Sequence, residues 1–277
     1  MRRLVQAGAA LVLHGLVVLA LLSATPSANR AEGDAGTLAD ITSHRAVYTL
    51  ELLQAGSSSG IIGTRGTAYF EWAKTCDGYL VNQHVRMQLA LGEGQSSIAV
   101  LIFSSHETAD GTGMGFKLRQ MADGAVTQEL EGVATLGPEG GAVHFSVPER
   151  KDVQLPAGTM FPSTYTRRAL AAMVAGQTRH TGVLFDGSTM DGAYQVATFF
   201  GLVENRPIPG GKTGEIEAFW ATRAGYFQMT GGDAEPVFEV GSMVNAGGMA
   251  EWFDLDYGTF AVRANLKEIE RLPEPKC

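Results

Sequence analysis

Arg45-Ala46-Val47-Tyr48-Thr49-Leu50-Glu51-Leu52 places Ala46, Tyr48, Leu50 and Leu52 on one face and Arg45, Thr49 and Glu51 on the other. Alternation with a period of two marks a half-buried β-strand, because successive side chains leave a strand on opposite faces. Comparable runs follow at 67–72, 79–91, 96–105, 115–121, 126–131 and 142–147. More lie at 181–185, 194–202, 215–222, 225–229, 237–244, 250–256 and 259–267. In the run 126–131, Val126, Gln128 and Leu130 alternate with Thr127, Glu129 and Glu131, which gives it one wet face. Turn pairs separate the runs, among them Asp110-Gly111, Asp123-Gly124, Asp186-Gly187, Asp191-Gly192 and Tyr257-Gly258. About fourteen short strands at regular spacing predict an all-β, antiparallel fold, a barrel or a sheet curled like one.

One segment departs from this period. Residues 162–176 are rich in helix formers, with Ser163 or Thr164 placed to cap and Gly176 to terminate. Leu170, Met173 and Val174 make an apolar stripe, so this amphipathic helix is expected to plug or cover the open part of the sheet. Glycine, at 35 of 277 residues, suits many tight turns. No low-complexity linker or internal repeat divides 32–277, which reads as one β-rich domain. The formal charge of −8, with no basic block, argues against nucleic acid as a partner.

Met1-Arg2-Arg3, the apolar run from Leu4 to Leu22 and the small residues from Ser23 to Ala28 read as a secretory signal peptide within 1–31. The cleavage point falls somewhere in 24–31, since no A-x-A pattern marks it. An uncleaved anchor is the alternative, because about 20 apolar residues span a bilayer. Once the leader is removed, no membrane span is expected. In an oxidising compartment two cysteines most simply pair with each other, so Cys76 and Cys277 are expected to form a disulfide. It would close a loop of about 200 residues, worth at most ~5 kcal/mol on chain entropy. An intermolecular bridge through Cys277 and a redox role are the alternatives. The absence of C-x-x-C speaks against the latter.

Several motifs resemble catalytic signatures and fail on context. Gly56-Ser57-Ser58-Ser59-Gly60 matches G-x-S-x-G, but a strand rather than a helix follows it. His106-Glu107-Thr108-Ala109-Asp110 begins like H-E-x-x-H, yet ends in Asp and runs into a turn. Gly211-Lys212-Thr213 has the tail of a phosphate loop, but Arg206 stands where glycine is needed. His14, His44, His84, His106, His144 and His180 show no metal-ligand spacing, and His84 and His144 read as surface or core-edge residues. The pairs Asp254/Asp256 and Glu129/Glu131 read as solvated charge. Tyr69, Phe70, Trp72, Phe219, Trp220, Tyr226 and Phe227 read as core, with a lipid-lined cavity as the alternative. No catalytic residue, cofactor or metal is expected, and the chain is not expected to be an enzyme.

Four further segments carry a resemblance. They are Thr75-Cys76-Asp77-Gly78-Tyr79, Leu155-Pro156-Ala157-Gly158-Thr159-Met160-Phe161-Pro162, Phe185-Asp186-Gly187-Ser188 and Phe253-Asp254-Leu255-Asp256-Tyr257-Gly258-Thr259-Phe260. With Leu266, Glu270, Leu272 and the final Cys277, their order resembles the EipB family of alphaproteobacterial cell-envelope-integrity proteins. Tyr165 departs from the pattern, standing where a histidine is expected. The resemblance implies a periplasmic β-spiral, a broken barrel of about fourteen strands partly filled by one helix, with an internal disulfide. It further implies a stress-protective role in the envelope, exercised with a periplasmic tetratricopeptide-repeat partner. A curled sheet with an apolar interior also allows a second expectation, a carrier of lipid or another hydrophobic ligand.

Overall fold

The computed structural model describes residues 38–208, 214–229 and 235–277. The leader, its exit at 24–31 and the Gly211-Lys212-Thr213 motif lie outside the described residues.

Eight strands form the first half of the sheet: β1 (His44–Ala55), β2 (Ile61–Lys74), β3 (Gly78–Leu91), β4 (Ser96–Thr108), β5 (Gly113–Ala122), β6 (Ala125–Gly137), β7 (Gly140–Val147) and β8 (Lys151–Leu155). The two-residue β9 (Thr159–Met160) and the helix α1 (Pro162–Val174) follow. The second half comprises β10 (Arg179–Leu184), β11 (Tyr194–Pro207), β12 (Ile216–Gln228), β13 (Phe238–Asn245), β14 (Ala250–Asp256) and β15 (Phe260–Arg271). Among the described residues all fifteen belong to one sheet, ordered β8-β7-β6-β5-β4-β3-β2-β1-β15-β14-β13-β12-β11-β10-β9. Two antiparallel meanders therefore meet where β1 pairs with β15, from His44↔Arg271 to Ala55↔Phe260. The sheet curls into a barrel whose free edges are β8 and β9, with α1 threaded between the halves.

The expected all-β architecture and single helix are both present, with local corrections. Runs 215–222 and 225–229 are one strand, because Arg223, Ala224 and Gly225 stay in ladder register with Phe199, Thr198 and Ala197. The charged start of Lys151-Asp152-Val153-Gln154-Leu155 masked β8, and β9 is too short to show a period. The helix is not capped by Ser163 or Thr164. Phe161 occupies the cap position without a side-chain bond, and Pro162 opens the first turn. Gly176 does terminate it, at φ 77°. Leu170 and Met173 are buried, whereas Val174 leaves the stripe and faces solvent.

The interior falls into four separate clusters. One around Met114, Phe116, Leu130, Phe145 and Phe185 fills the β5–β8 side. A second packs Tyr48, Leu50, Met87 and Val262 where the meanders join. The remaining two surround α1, through Trp72, Val81, Leu170 and Met173, and through Met160, Tyr165 and Val196. This division follows from size. Eight strands close around a core that side chains alone fill, whereas sixteen or more leave a channel. Fifteen strands and one helix fall near the upper end of that range.

Candidate functional site

Seating of α1 depends on a carboxylate from another element. On β4, Glu107 alternates with Ser105 and Phe103 and points inward, fully buried. Its oxygens accept the Ser163 N–H at 3.0 Å and the Ser163 hydroxyl at 2.9 Å. The Thr164 N–H adds a third donor. These are unsatisfied amides of a helix N-terminus, where a negative group is favoured. Trp72 Nε1 completes the network by donating to Ser163 Oγ at 3.1 Å. Burial pushes the Glu107 carboxyl up to about 7, against the opposing pull of its three donors. Gly78 is required beneath it, since a Cβ there would lie 1.8 Å from the Glu107 carbonyl oxygen. Farther along, Tyr165 OH and Thr198 Oγ1 share a 2.8 Å bond, and Arg167 reaches Ala39 O at 2.9 Å and Tyr79 OH at 2.6 Å.

Beyond the helix, the inner wall is traced by cross-strand rows, whose members share one face. One row runs Tyr48, Ala68, Val85, Leu101, Gln120 and Gln128 across β1 to β6. Across the barrel another runs Leu52, Val262, Leu255, Val240 and Ala224. In the first row only Tyr48 is buried, and in the second only Val262. Tyr226, Phe238, Tyr257 and Phe260 continue the wall as a chain of rings with centroids 5.0 to 5.7 Å apart, and Tyr194 joins it at 5.9 Å. Tyr226, Tyr257 and Asp186 keep accessible surface although they lie deep in the molecule. That surface faces an internal lumen. Burial raises all three groups, Tyr257 to about 12.

Asp186 stands at one end of this lumen, in the loop between β10 and β11. Its Oδ1 accepts the Ser188 N–H at 2.9 Å and hydroxyl at 2.7 Å. Gln128 Nε2 donates to Ser188 O at 3.3 Å, tying the β6 wall to the same loop. Both Tyr194 and Tyr226 are raised further by the Asp186 charge. Gly187 fits because its Cα packs against Phe116, with a Cβ due at 2.8 Å from that ring.

The residues singled out in the sequence are dispersed. Cys76 and Cys277 are bonded, with Cα atoms 5.6 Å apart, and the Lys74–Glu274 ion pair at 3.1 Å holds the same tail. Ser58 lies in the β1–β2 turn, where Ser59 Oγ donates to Gly56 O. His106 meets Asp77 at 3.3 Å, and Asp254 is paired with Arg263 at 2.6 Å, so the three are not gathered. Glu131 pairs with Lys117, and His84 and His144 are exposed. Of the aromatics, Phe70, Trp72, Trp220 and Tyr226 face inward, and Phe219 is fully buried. In the sequence Glu107 belongs to a failed metal motif and Asp186 to a turn pair. The inward register of Glu107 with Phe103 was a readable signal; Asp186 offered none.

A protein-family model described as EipB-like matches residues 35–273. The chain also resembles the crystal structure of a beta-barrel-like protein of domain of unknown function DUF1849 from Brucella abortus. The two share 25% identity at a TM-score of 0.78, covering 85% of this chain and 100% of that one. No curated protein matches.

Proposed function

This chain belongs to the EipB-like family, and from that premise we propose that it is a periplasmic, non-enzymatic factor that maintains the cell envelope through protein partners. The observation that carries the reading is the extent of the family match, which takes in the barrel and its plug helix. The bonded pair Cys76–Cys277 supports an extracytoplasmic location, because disulfides persist where thiols are not kept reduced. The leader-like segment supports export by the same route. Leu202 and Val203 stand 76% and 56% exposed at the β11 irregularity, adjacent apolar groups open to a partner. A tetratricopeptide-repeat protein, whose stacked helices offer a concave face, suits such a surface. Deletion of the gene should sensitise cells to detergent and cell-wall antibiotics. Leu202→Asp with Val203→Asp should fail to complement while leaving the melting temperature unchanged; full complementation would remove this surface from the reading.

The lumen favours a second reading, a carrier of a hydrophobic envelope ligand. Its support is the half-buried inward wall of Leu255, Val240, Phe238 and Tyr226. Sites for apolar small molecules are concave, mostly apolar and furnished with a few polar groups. Native mass spectrometry of protein taken from the periplasm tests it: a lipid-sized adduct is expected, and repeated spectra of bare protein would remove it.

A further inference from the structure

The inner wall is not uniformly apolar, and its polar groups are uneven in how they are satisfied. Among the described residues, Asp186 has no Lys, Arg or His partner. Its donors are all local: the Ser188 N–H and hydroxyl meet Oδ1, and its own backbone N–H adds a third. A carboxylate this deep is strongly disfavoured unless donors reach it. Gln120 and Gln83 share the inner face, in register with Gln128 and Phe103 respectively. Among the described residues neither amide is bonded to another protein group, whereas Gln128 is committed to Ser188. Among the same residues the ring hydroxyls of Tyr226 and Tyr257 carry no protein hydrogen bond. On the neighbouring strands of the same wall, Val240, Phe253 and Leu255 offer an apolar surface. The lumen therefore has a long greasy side and an acidic end that accepts hydrogen bonds.

An approach to that end exists. A cleft of about 430 Å³ lies at the free edge of β8, lined by Lys151, Asp152, Met190, Asp191 and Gln228. Met190 and Asp191 belong to the loop that carries Asp186. Gln228 is the next inward position after Tyr226 on β12. The cleft at the break in the barrel thus shares a loop with Asp186.

We propose that the lumen receives a single-chain amphiphile whose head group donates an N–H or O–H bond to Asp186, with its alkyl chain along Val240, Phe253 and Leu255. This assignment rests on the carrier reading above and adds a selection rule to it. A head bearing an amine or hydroxyls supplies the missing donors, while a carboxylate head meets a like charge in a medium that screens poorly. Hydrogen bonds to charged groups contribute about 1.5–3 kcal/mol, which corresponds to roughly tenfold or more in affinity.

Three C16 probes test it on the purified mature protein by calorimetric titration below their micellar concentrations: hexadecylamine, 1-monopalmitoylglycerol and palmitate. The amine and the glycerol ester should bind at least about tenfold more tightly than palmitate. Asp186→Asn should bring the amine and palmitate within about threefold of each other. Val240→Trp, which places an indole on the apolar wall, should weaken all three together and serves as a second variant should Asp186→Asn not fold. Palmitate binding as tightly as the other two, or a preference that survives Asp186→Asn, would overturn the selection rule while leaving a carrier. If none of the three binds, the carrier reading falls and takes the rule with it.

Discussion

Glu107 and Asp186 are two buried carboxylates raised by the same cause, yet their surroundings differ in kind. Glu107 meets donors on both oxygens, from Ser163 and Thr164, in a region packed by Trp72, Val81 and Met173. Asp186 meets only Ser188 and its own backbone N–H, beside rings that keep accessible surface. A filled hydrogen-bond shell in a packed region makes a carboxylate a piece of architecture. A shell of local donors beside a lumen makes it available to something that enters. Burial alone does not separate these roles; the packing around the carboxylate and the element that supplies its donors do.

The largest effect expected from breaking this contrast lies at the helix seat. Trp72→Ala removes a buried indole, its stack on Tyr79 and the bond to Ser163, and should cost about 3–5 kcal/mol in denaturant unfolding. A loss below about 1 kcal/mol would mean that the seat is loosely packed.

Next comes the pH dependence of Glu107. Its carboxyl sits near 7 in the folded protein and near 4.5 unfolded, so folding favours the protonated form. Its stabilising contribution is fully present below pH 4.5, declines as pH rises toward 7 and is absent above. The span amounts to roughly 3 kcal/mol. His44 and His180, both lowered by burial, act with the opposite sign, losing stability as pH falls through 6.5. The informative quantity is thus the stability of the parent minus that of Glu107→Gln. It should grow in the parent's favour as pH falls from 8 to 4, and parallel curves would contradict the assignment.

Smaller effects separate bonded from unbonded hydroxyls. Tyr165→Phe gives up the 2.8 Å bond to Thr198 and should cost about 1 kcal/mol. Tyr226→Phe removes a hydroxyl with no protein partner and should shift stability by less than about 0.5 kcal/mol. Equal losses for both would mean that the Tyr226 hydroxyl is as well held as that of Tyr165, and the contrast between seat and lumen would narrow.

Much of the frame was legible because alternation is a local property. The face shared by Ala46, Tyr48, Leu50 and Leu52 is readable from eight residues, and it is the face turned inward. The helix was legible for the same reason, and the pairing of the two cysteines from their count. The helix cap was not. Ser163 and Thr164 have the side chains of a cap, but their amides are met by Glu107, some 56 residues earlier. Val174 has the side chain of a core residue but lies past the angle at which α1 touches the wall. Asp186-Gly187 has the form of a turn, and nothing local distinguishes a turn facing solvent from one facing a lumen.

Most of the strands and their inward faces, the single helix and the cysteine pair were determined by the sequence alone, since each depends on neighbours a few residues apart or on a count. Closure of β1 on β15, the seating of α1 by Glu107 and the exposure of Asp186 to an interior were decided only by tertiary structure. The physical reason is that a lumen belongs to a curled sheet as a whole. It arises from how many strands close around how little filling, and no single strand carries that number.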